Sequence, residues 1–282
     1  MDTGTFDRVA LRRCVLAVSV LQDLDLVPVD DGVLTGSGRL VPWSAVECGL
    51  GGHDPESAAA RPELARWLRA VQDLSWRSPA DVMTRARPVG LPRGHSLHPG
   101  ATWTMESVRG GVLDLGIGLA GVGDDPDELL VPRPGVLAAC GLDPRPWWPA
   151  ARDYLDQMGT LAAVRFRRDG PAKPLRPMGD CDVVTLLGSA ELRSAVAASD
   201  SVGMRAAAVP TRNRGWLDLT RTDPAFALVA ASLAPTDDRG FERPLLVTAD
   251  EITMVRAGGD PVLQALRDAA APDPVAPVVL IR

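Results

Sequence analysis

Four short segments of the chain recur in its second half in the same order, and this recurrence constrains the fold more than any other feature. The recurring pairs are 111–115 with 215–219, 129–131 with 245–247, 141–144 with 258–261, and 150–153 with 265–268. The last three pairs keep a near-constant spacing. A fused duplication explains that register better than chance, although segments rich in Ala, Val and Leu also resemble one another by composition alone.

We therefore predict an α+β (mixed α/β) fold built from two copies of a helix–strand–strand–helix–hairpin–strand–helix unit related by pseudo-twofold symmetry. The first copy spans 1–145 and the second spans 146–282, and the two pack as one compact unit. Apolar runs predict strands at 161–167 and 182–187 in the second copy.

The first copy differs from the second by a helical and loop insertion at about 51–101. A stripe of Leu, Trp and Val side chains predicts a helix over 62–74. Ser78 followed by Pro79 is typical of the start of another helix, because Ser caps the first turn and Pro tolerates its first position. The insertion ends in a loop rich in Gly and Pro, and it contains all three histidines of the protein.

Charge and composition exclude several classes of protein. The formal net charge is −6, whereas a nucleic-acid-binding protein needs a concentrated basic face. No segment approaches the roughly 20 apolar residues that span a bilayer, so we expect no membrane partner. The four cysteines lie far apart without a Cys-x-x-Cys pair, which is typical of reduced thiols in a cytoplasmic protein.

Lysine usage excludes the common nucleotide-binding motifs. Lys173 is the only lysine among 30 basic residues, which indicates a high-GC bacterial genome. Pro174 follows it, so no Gly-Lys-Ser/Thr phosphate loop is present. The Gly-x-Gly fragments at 36–38 and 116–118 lack the third glycine of a dinucleotide fingerprint. We therefore expect no cofactor.

His95 and His98 are the first candidate catalytic residues. Two imidazoles three positions apart can chelate a metal if the loop curls. Two histidines supply only two of the four ligands of a tetrahedral metal site. The sequence around them also lacks the Glu of a His-Glu-x-x-His motif. We therefore predict no structural metal here, and two ordinary loop histidines explain the pair equally well.

Asp180, Cys181 and Asp182 form the second candidate site. A thiol between two carboxylates suits nucleophilic or acid–base chemistry if the fold brings in a histidine. Turn-forming aspartates beside a buried cysteine are the alternative interpretation.

Trp147 and Trp148 carry the clearest interaction signal. Adjacent residues at a helix entrance point about 100° apart, so one core cannot easily receive both indoles. We therefore expect one of them to be exposed or covered by a partner, since Trp is enriched at protein interfaces. Packing of both within the chain is the alternative.

No complete nucleophile, base and orienting set can be read from the sequence. The leading hypothesis is a cytoplasmic protein that binds a partner protein or a second copy, in a chaperone-like or regulatory role. The alternative is an enzyme or small-ligand-binding protein with a site between the insertion and the core, lined by His95, His98 and Asp180–Asp182. The duplicated architecture is similar to that of the ESX secretion-specific chaperones. No residue motif carries this resemblance, so it implies no site residue.

Overall fold

The computed structural model describes residues 7–122, 129–217 and 238–255. Helices and antiparallel sheets alternate along this part of the chain, which confirms the mixed α and β class. The helices are α1 (Arg8–Leu21), α2 (Trp43–Cys48), α3 (Ala60–Ser75), α4 (Pro79–Thr84), α5 (Val136–Ala139), α6 (Trp148–Asp169), α7 (Val183–Leu186) and α8 (Ala190–Ala197). A short 3-10 helix, Arg145–Trp147, leads into α6.

The strands form three antiparallel sheets. They are β1 (Leu26–Pro28), β2 (Gly32–Thr35), β3 (Leu40–Pro42), β4 (Ala86–Pro92), β5 (Glu106–Ser107), β6 (Leu113–Ala120), β7 (Leu129–Leu130), β8 (Met204–Thr211), β9 (Arg214–Trp216), β10 (Leu245–Thr248) and β11 (Ile252–Met254). The first sheet has the order β1-β2-β3. The central sheet has the order β4-β6-β5 with β7 also paired to β6, and the third has the order β11-β10-β8-β9.

The first sheet is a small meander that covers one side of the N-terminal core. Burial alternates along β1, where Leu26 and Pro28 are buried and Val27 is exposed, as the period of two in a strand requires. The inward side chains of this sheet pack with α1, α2 and α3 in one cluster. Helix α1 starts at Asp7, whose carboxylate accepts a hydrogen bond from the Val9 amide at 3.0 Å.

Strand β6 is the centre of the molecule. Leu113, Leu115, Ile117 and Leu119 line one of its faces and are each at most 1% exposed. The first two pack into the C-terminal core and the last two into the N-terminal core. Neighbouring β4 approaches α7 so closely that the Gly90 amide donates to the Thr185 hydroxyl at 2.8 Å.

The strands predicted at 161–167 and 182–187 are helical instead, whereas the extended segment predicted from 204 corresponds to β8. The segment 161–167 lies inside α6, where Leu155, Gly159, Ala162 and Phe166 are buried at helical spacing. The small residues Gly159 and Ala162 let α8 approach α6. A short apolar run fits either a helix or a strand, and here this packing favours the helix. The segment 182–187 contains α7, because the Asp182 carboxylate caps it by accepting from the Thr185 amide at 2.7 Å.

The described strands do not show the predicted internal duplication. In the first half β7, which carries Leu129-Leu130, pairs with β6, the strand of the Leu-Asp-Leu segment. In the second half β10, which carries Leu245-Leu246, pairs with β8 and β11 instead. The segments 218–219, 258–261 and 265–268 of the recurrence lie outside the described residues. The boundary at 145–146 therefore stays a prediction.

The predicted insertion contributes to the N-terminal core. Leu64, Trp67, Leu68 and Val71 of α3 are at most 1% exposed, as the predicted stripe requires. Helix α3 packs against both α1 and α5, and the Trp67 indole donates to the Pro134 carbonyl at 2.9 Å. Within the described ranges no helix is both long enough and apolar enough to cross a membrane.

Candidate functional site

The most polar buried cluster lies where the end of the insertion folds across the central sheet. Its centre is Asp114 on β6, whose side chain is 5% exposed. One carboxylate oxygen accepts from Arg93 at 3.0 Å and from Ser107 at 2.5 Å. The other accepts from His98 at 3.1 Å and from Arg93 at 3.3 Å. Burial raises the pKa of Asp114, but these hydrogen bonds outweigh it and hold the pKa below its usual value.

His98 is fixed by hydrogen bonds at both ring nitrogens. Its Nδ1 lies 3.0 Å from the Gly100 amide, and because an amide can only donate, Nδ1 is the acceptor. The proton therefore lies on Nε2 and is donated to Asp114. The ring also meets the Trp103 indole edge to face, with 5.3 Å between centroids. Trp103 in turn covers Gly116 and donates to the Ile117 carbonyl at 2.9 Å.

His95 has an equivalent structural role between distant segments. Its Nδ1 accepts from the Leu97 amide at 3.0 Å, and its Nε2 donates to the Arg239 carbonyl at 3.0 Å. The Arg239 guanidinium returns a hydrogen bond to the Gly94 carbonyl at 2.9 Å. The histidine pair therefore joins the insertion loop to the central sheet and to the segment that begins at 238.

This cluster contains Ser, Asp and His without the geometry of a hydrolase. In a catalytic triad the histidine lies between the serine and the aspartate, so that it can take the serine proton. Here Asp114 lies between Ser107 and His98, and the second His98 nitrogen faces a backbone amide. The cluster can therefore hold a loop in place, and His98 is not positioned to take the Ser107 proton.

Asp180, Cys181 and Asp182 are also occupied by structural contacts. Asp180 forms an ion pair with Arg87 at 2.6 Å, and Asp182 caps α7 and contacts Arg212 at 2.7 Å. Burial, followed by the neighbouring carboxylates, raises the pKa of the fully buried Cys181 thiol to about 12. A thiol with that pKa is protonated at neutral pH and a poor nucleophile.

Trp147 and Trp148 pack inside the chain. Trp147 is 7% exposed and belongs to the N-terminal core, while Trp148 is partly buried and contacts both cores. Trp148 keeps part of its surface accessible, so the expectation that one indole is exposed or covered by a partner stays a prediction.

A cleft lies between α3 of the insertion and the loop 177–182, and it contains part of the predicted set of lining residues. It has a volume of about 790 Å³, within the range of roughly 300–1,000 Å³ that is typical of ligand sites. Asp180–Asp182 line one wall and the outer face of α3 lines the other. His95 and His98 are not among the residues that line it.

A second surface feature is the outer face of the first sheet. Val27, Leu34 and Leu40 lie side by side on neighbouring strands, since Val27 pairs with Leu34 and Leu34 pairs with Leu40. They are 54%, 37% and 46% exposed. We call these three side chains the apolar row. The sequence argument missed them, although each of these short strands has two consecutive aliphatic residues, which is the signal of a sheet that is apolar on both faces.

Comparison of the chain with protein-family models, with curated proteins and with solved structures finds no match. In the part of the chain that the structure describes, no three His, Cys, Asp or Glu side chains lie together in a group that could hold a metal ion.

Proposed function

We propose that this protein binds a partner protein through the outer face of its first sheet. The observation that carries the proposal is the apolar row, because three aliphatic side chains in direct cross-strand register form a continuous strip. Scattered exposed apolar residues are ordinary on a protein surface, whereas a contiguous patch is typical of an interaction site.

An exposed tryptophan borders this strip. Trp76 follows α3 and is 62% exposed. It lies against Gly36 at the end of β2, where an added Cβ would be 3.1 Å from the indole. Tryptophan is strongly enriched among the residues that dominate the free energy of protein association. Trp76 and the apolar row together supply the aromatic and aliphatic contacts of such an interface.

The edges of the first sheet are less suited to binding than its face. Strands β1 and β3 have three residues each and both end in proline, at Pro28 and Pro42. Proline has no amide hydrogen to donate and is a common protection of edge strands. Arg12 also donates to the Pro28 carbonyl at 3.3 Å. The partner is therefore expected to pack onto the face instead of adding a strand.

Acidic side chains flank the β1 side of the strip and favour one class of partner. Asp25 is exposed two positions before Val27, and Asp30 and Asp31 are exposed in the turn between β1 and β2. A partner with an apolar centre and a rim of Arg or Lys complements this surface. A second copy of the chain would bring the same carboxylates to the interface, so a different protein is the better fit.

Site-specific photocrosslinking in the cells that produce the protein tests the proposal. A benzophenone amino acid at Leu40 should give one discrete adduct with another protein. The matched control is the same group at Val164, which is 57% exposed on α6 and should give none. The substitution Leu34→Asp should suppress the Leu40 adduct, and raised salt should weaken it.

Two results would refute this function. Equal adduct formation from Val164 would mean that the strip has no special affinity. An adduct of twice the chain's own mass would identify a second copy as the occupant.

A further inference from the structure

The cleft between α3 and the 177–182 loop is a separate feature from the sheet surface. On its α3 side the lining includes Ala65, Arg66, Arg69, Ala70 and Asp73. These residues recur at helical spacing on the face opposite the buried Leu64 and Trp67. The two alanines pack toward the N-terminal core, so the charged side chains form the outer part of this wall.

This wall carries an excess of positive charge. Arg133 joins the α3 arginines after β7, and it shares the Glu63 carboxylate with Arg66. Three lining arginines, Arg66, Arg69 and Arg133, thus face two carboxylates, Glu63 and Asp73. The Arg66 and Arg133 side chains are 55% and 29% exposed. Their remaining N–H groups can reach a ligand, and guanidinium groups bind carboxylate and phosphate well.

The opposite wall is acidic and already paired. Asp180 contacts Arg87 and Asp182 contacts Arg212, and these pairs balance their own charges. Asp238 adds a further carboxylate to this wall. The net charge of the loop side is therefore that of Asp238 alone, so an anion is favoured on the α3 side of the cleft.

The floor of the cleft is apolar. Leu97, Leu129, Leu130 and Val131 line it, and the first three are only partly buried. A ligand that fills the site should cover these side chains while its charged end meets the arginines. We propose that the cleft binds an amphipathic anion, with a carboxylate or phosphate head on Arg66 and Arg133 and an aliphatic body on the Leu129–Val131 floor.

Calorimetric titration with decanoate and with decyl phosphate tests this proposal. Both should bind saturably with one site per chain. Decanol, which lacks the charge, and decyltrimethylammonium, which reverses it, should bind at least about tenfold more weakly. The variant Arg66→Gln/Arg133→Gln should lose about tenfold or more in affinity. Arg167→Gln is the matched control. It removes an α6 arginine that is paired with Glu191, and this variant should bind decanoate as tightly as the parent.

Two further variants keep the result decisive. Arg66→Glu alters an exposed side chain and should weaken binding even if the double variant folds poorly. Leu34→Asp disrupts the apolar row and should leave decanoate affinity unchanged, so the two proposals fail separately. Equal affinity for decanol and decanoate, or unchanged affinity in Arg66→Glu, would overturn the assignment of the cleft.

Discussion

The substitution Asp114→Asn gives the sharpest test of the polar cluster beneath the insertion loop. Asparagine keeps the shape of the side chain but replaces one acceptor oxygen with a donor amide. All four contacts to the carboxylate come from donors, on Arg93, Ser107 and His98. In either orientation, the NH2 group of the new side-chain amide would therefore face an N–H donor of Arg93 or His98 instead of an acceptor. His98 cannot relieve the conflict by moving its proton, because Nδ1 already accepts from Gly100.

The cost follows from how far each donor is exposed. The Arg93 side chain is 56% exposed, so its ion pair contributes less than about 1 kcal/mol. The His98 side chain is 11% exposed, so water cannot easily replace its lost acceptor, and an unsatisfied buried donor costs about 1–3 kcal/mol. We expect the free energy of unfolding to fall by about 1–4 kcal/mol in total at pH 7.

The pH dependence separates this explanation from a general packing defect. The folded state holds the pKa of Asp114 below its usual value. The carboxylate therefore stabilises the fold above the unfolded-state pKa, and this contribution is lost as the pH falls through the folded-state pKa. Urea unfolding followed by tryptophan fluorescence should show a large difference between parent and variant at pH 7 and a smaller one near pH 3. An equal difference at both pH values would refute the reasoning.

Two other predictions concern packing and thiol reactivity. Gly116→Ala should lower the melting temperature, because a Cβ there would lie 2.3 Å from the Trp103 indole; an unchanged thermal transition by circular dichroism would contradict the close contact. A thiol reagent at pH 8 should modify the exposed Cys48 within minutes in native protein. Cys140 and Cys181 should react only after unfolding, because burial, with nearby carboxylates for Cys181, raises their pKa values to about 11 and about 12. A Cys48→Ser variant that still reacts fast when folded would contradict this.

Local patterns predicted the helices of the insertion well. The stripe on 62–74 corresponds to α3 at Ala60–Ser75, and Ser78 caps α4 through the Asp81 amide at 3.1 Å. These signals succeed because capping and helical periodicity depend on residues a few positions apart. The strand prediction at 161–167 was wrong for the opposite reason. The packing of Gly159 and Ala162 against α8 depends on residues that are distant in the sequence.

The polar site shows the same limit. The sequence drew attention to His95 and His98 but not to Asp114, which follows β5 in a hairpin and accepts a hydrogen bond from His98. A signal was present, because Asp114 is the only charged residue in the otherwise apolar strand β6. A lone charge in a buried strand predicts a buried partner. Which histidine or arginine fills that role depends on how a loop about fifteen residues upstream folds back.

The position of β6 between the two cores makes the described parts of the chain thermodynamically cooperative. Leu113 and Leu115 contribute to one cluster while Ile117 and Leu119 contribute to the other, and Trp148 contacts both. Unfolding of either cluster would expose side chains of β6, and the other cluster would then lose the support of the same strand. The two cores should therefore melt together in a single transition. A fragment that ends at residue 145 would keep β6 but lose the cluster that buries Leu113 and Leu115, so we expect truncation there to cost the fragment its ability to fold independently.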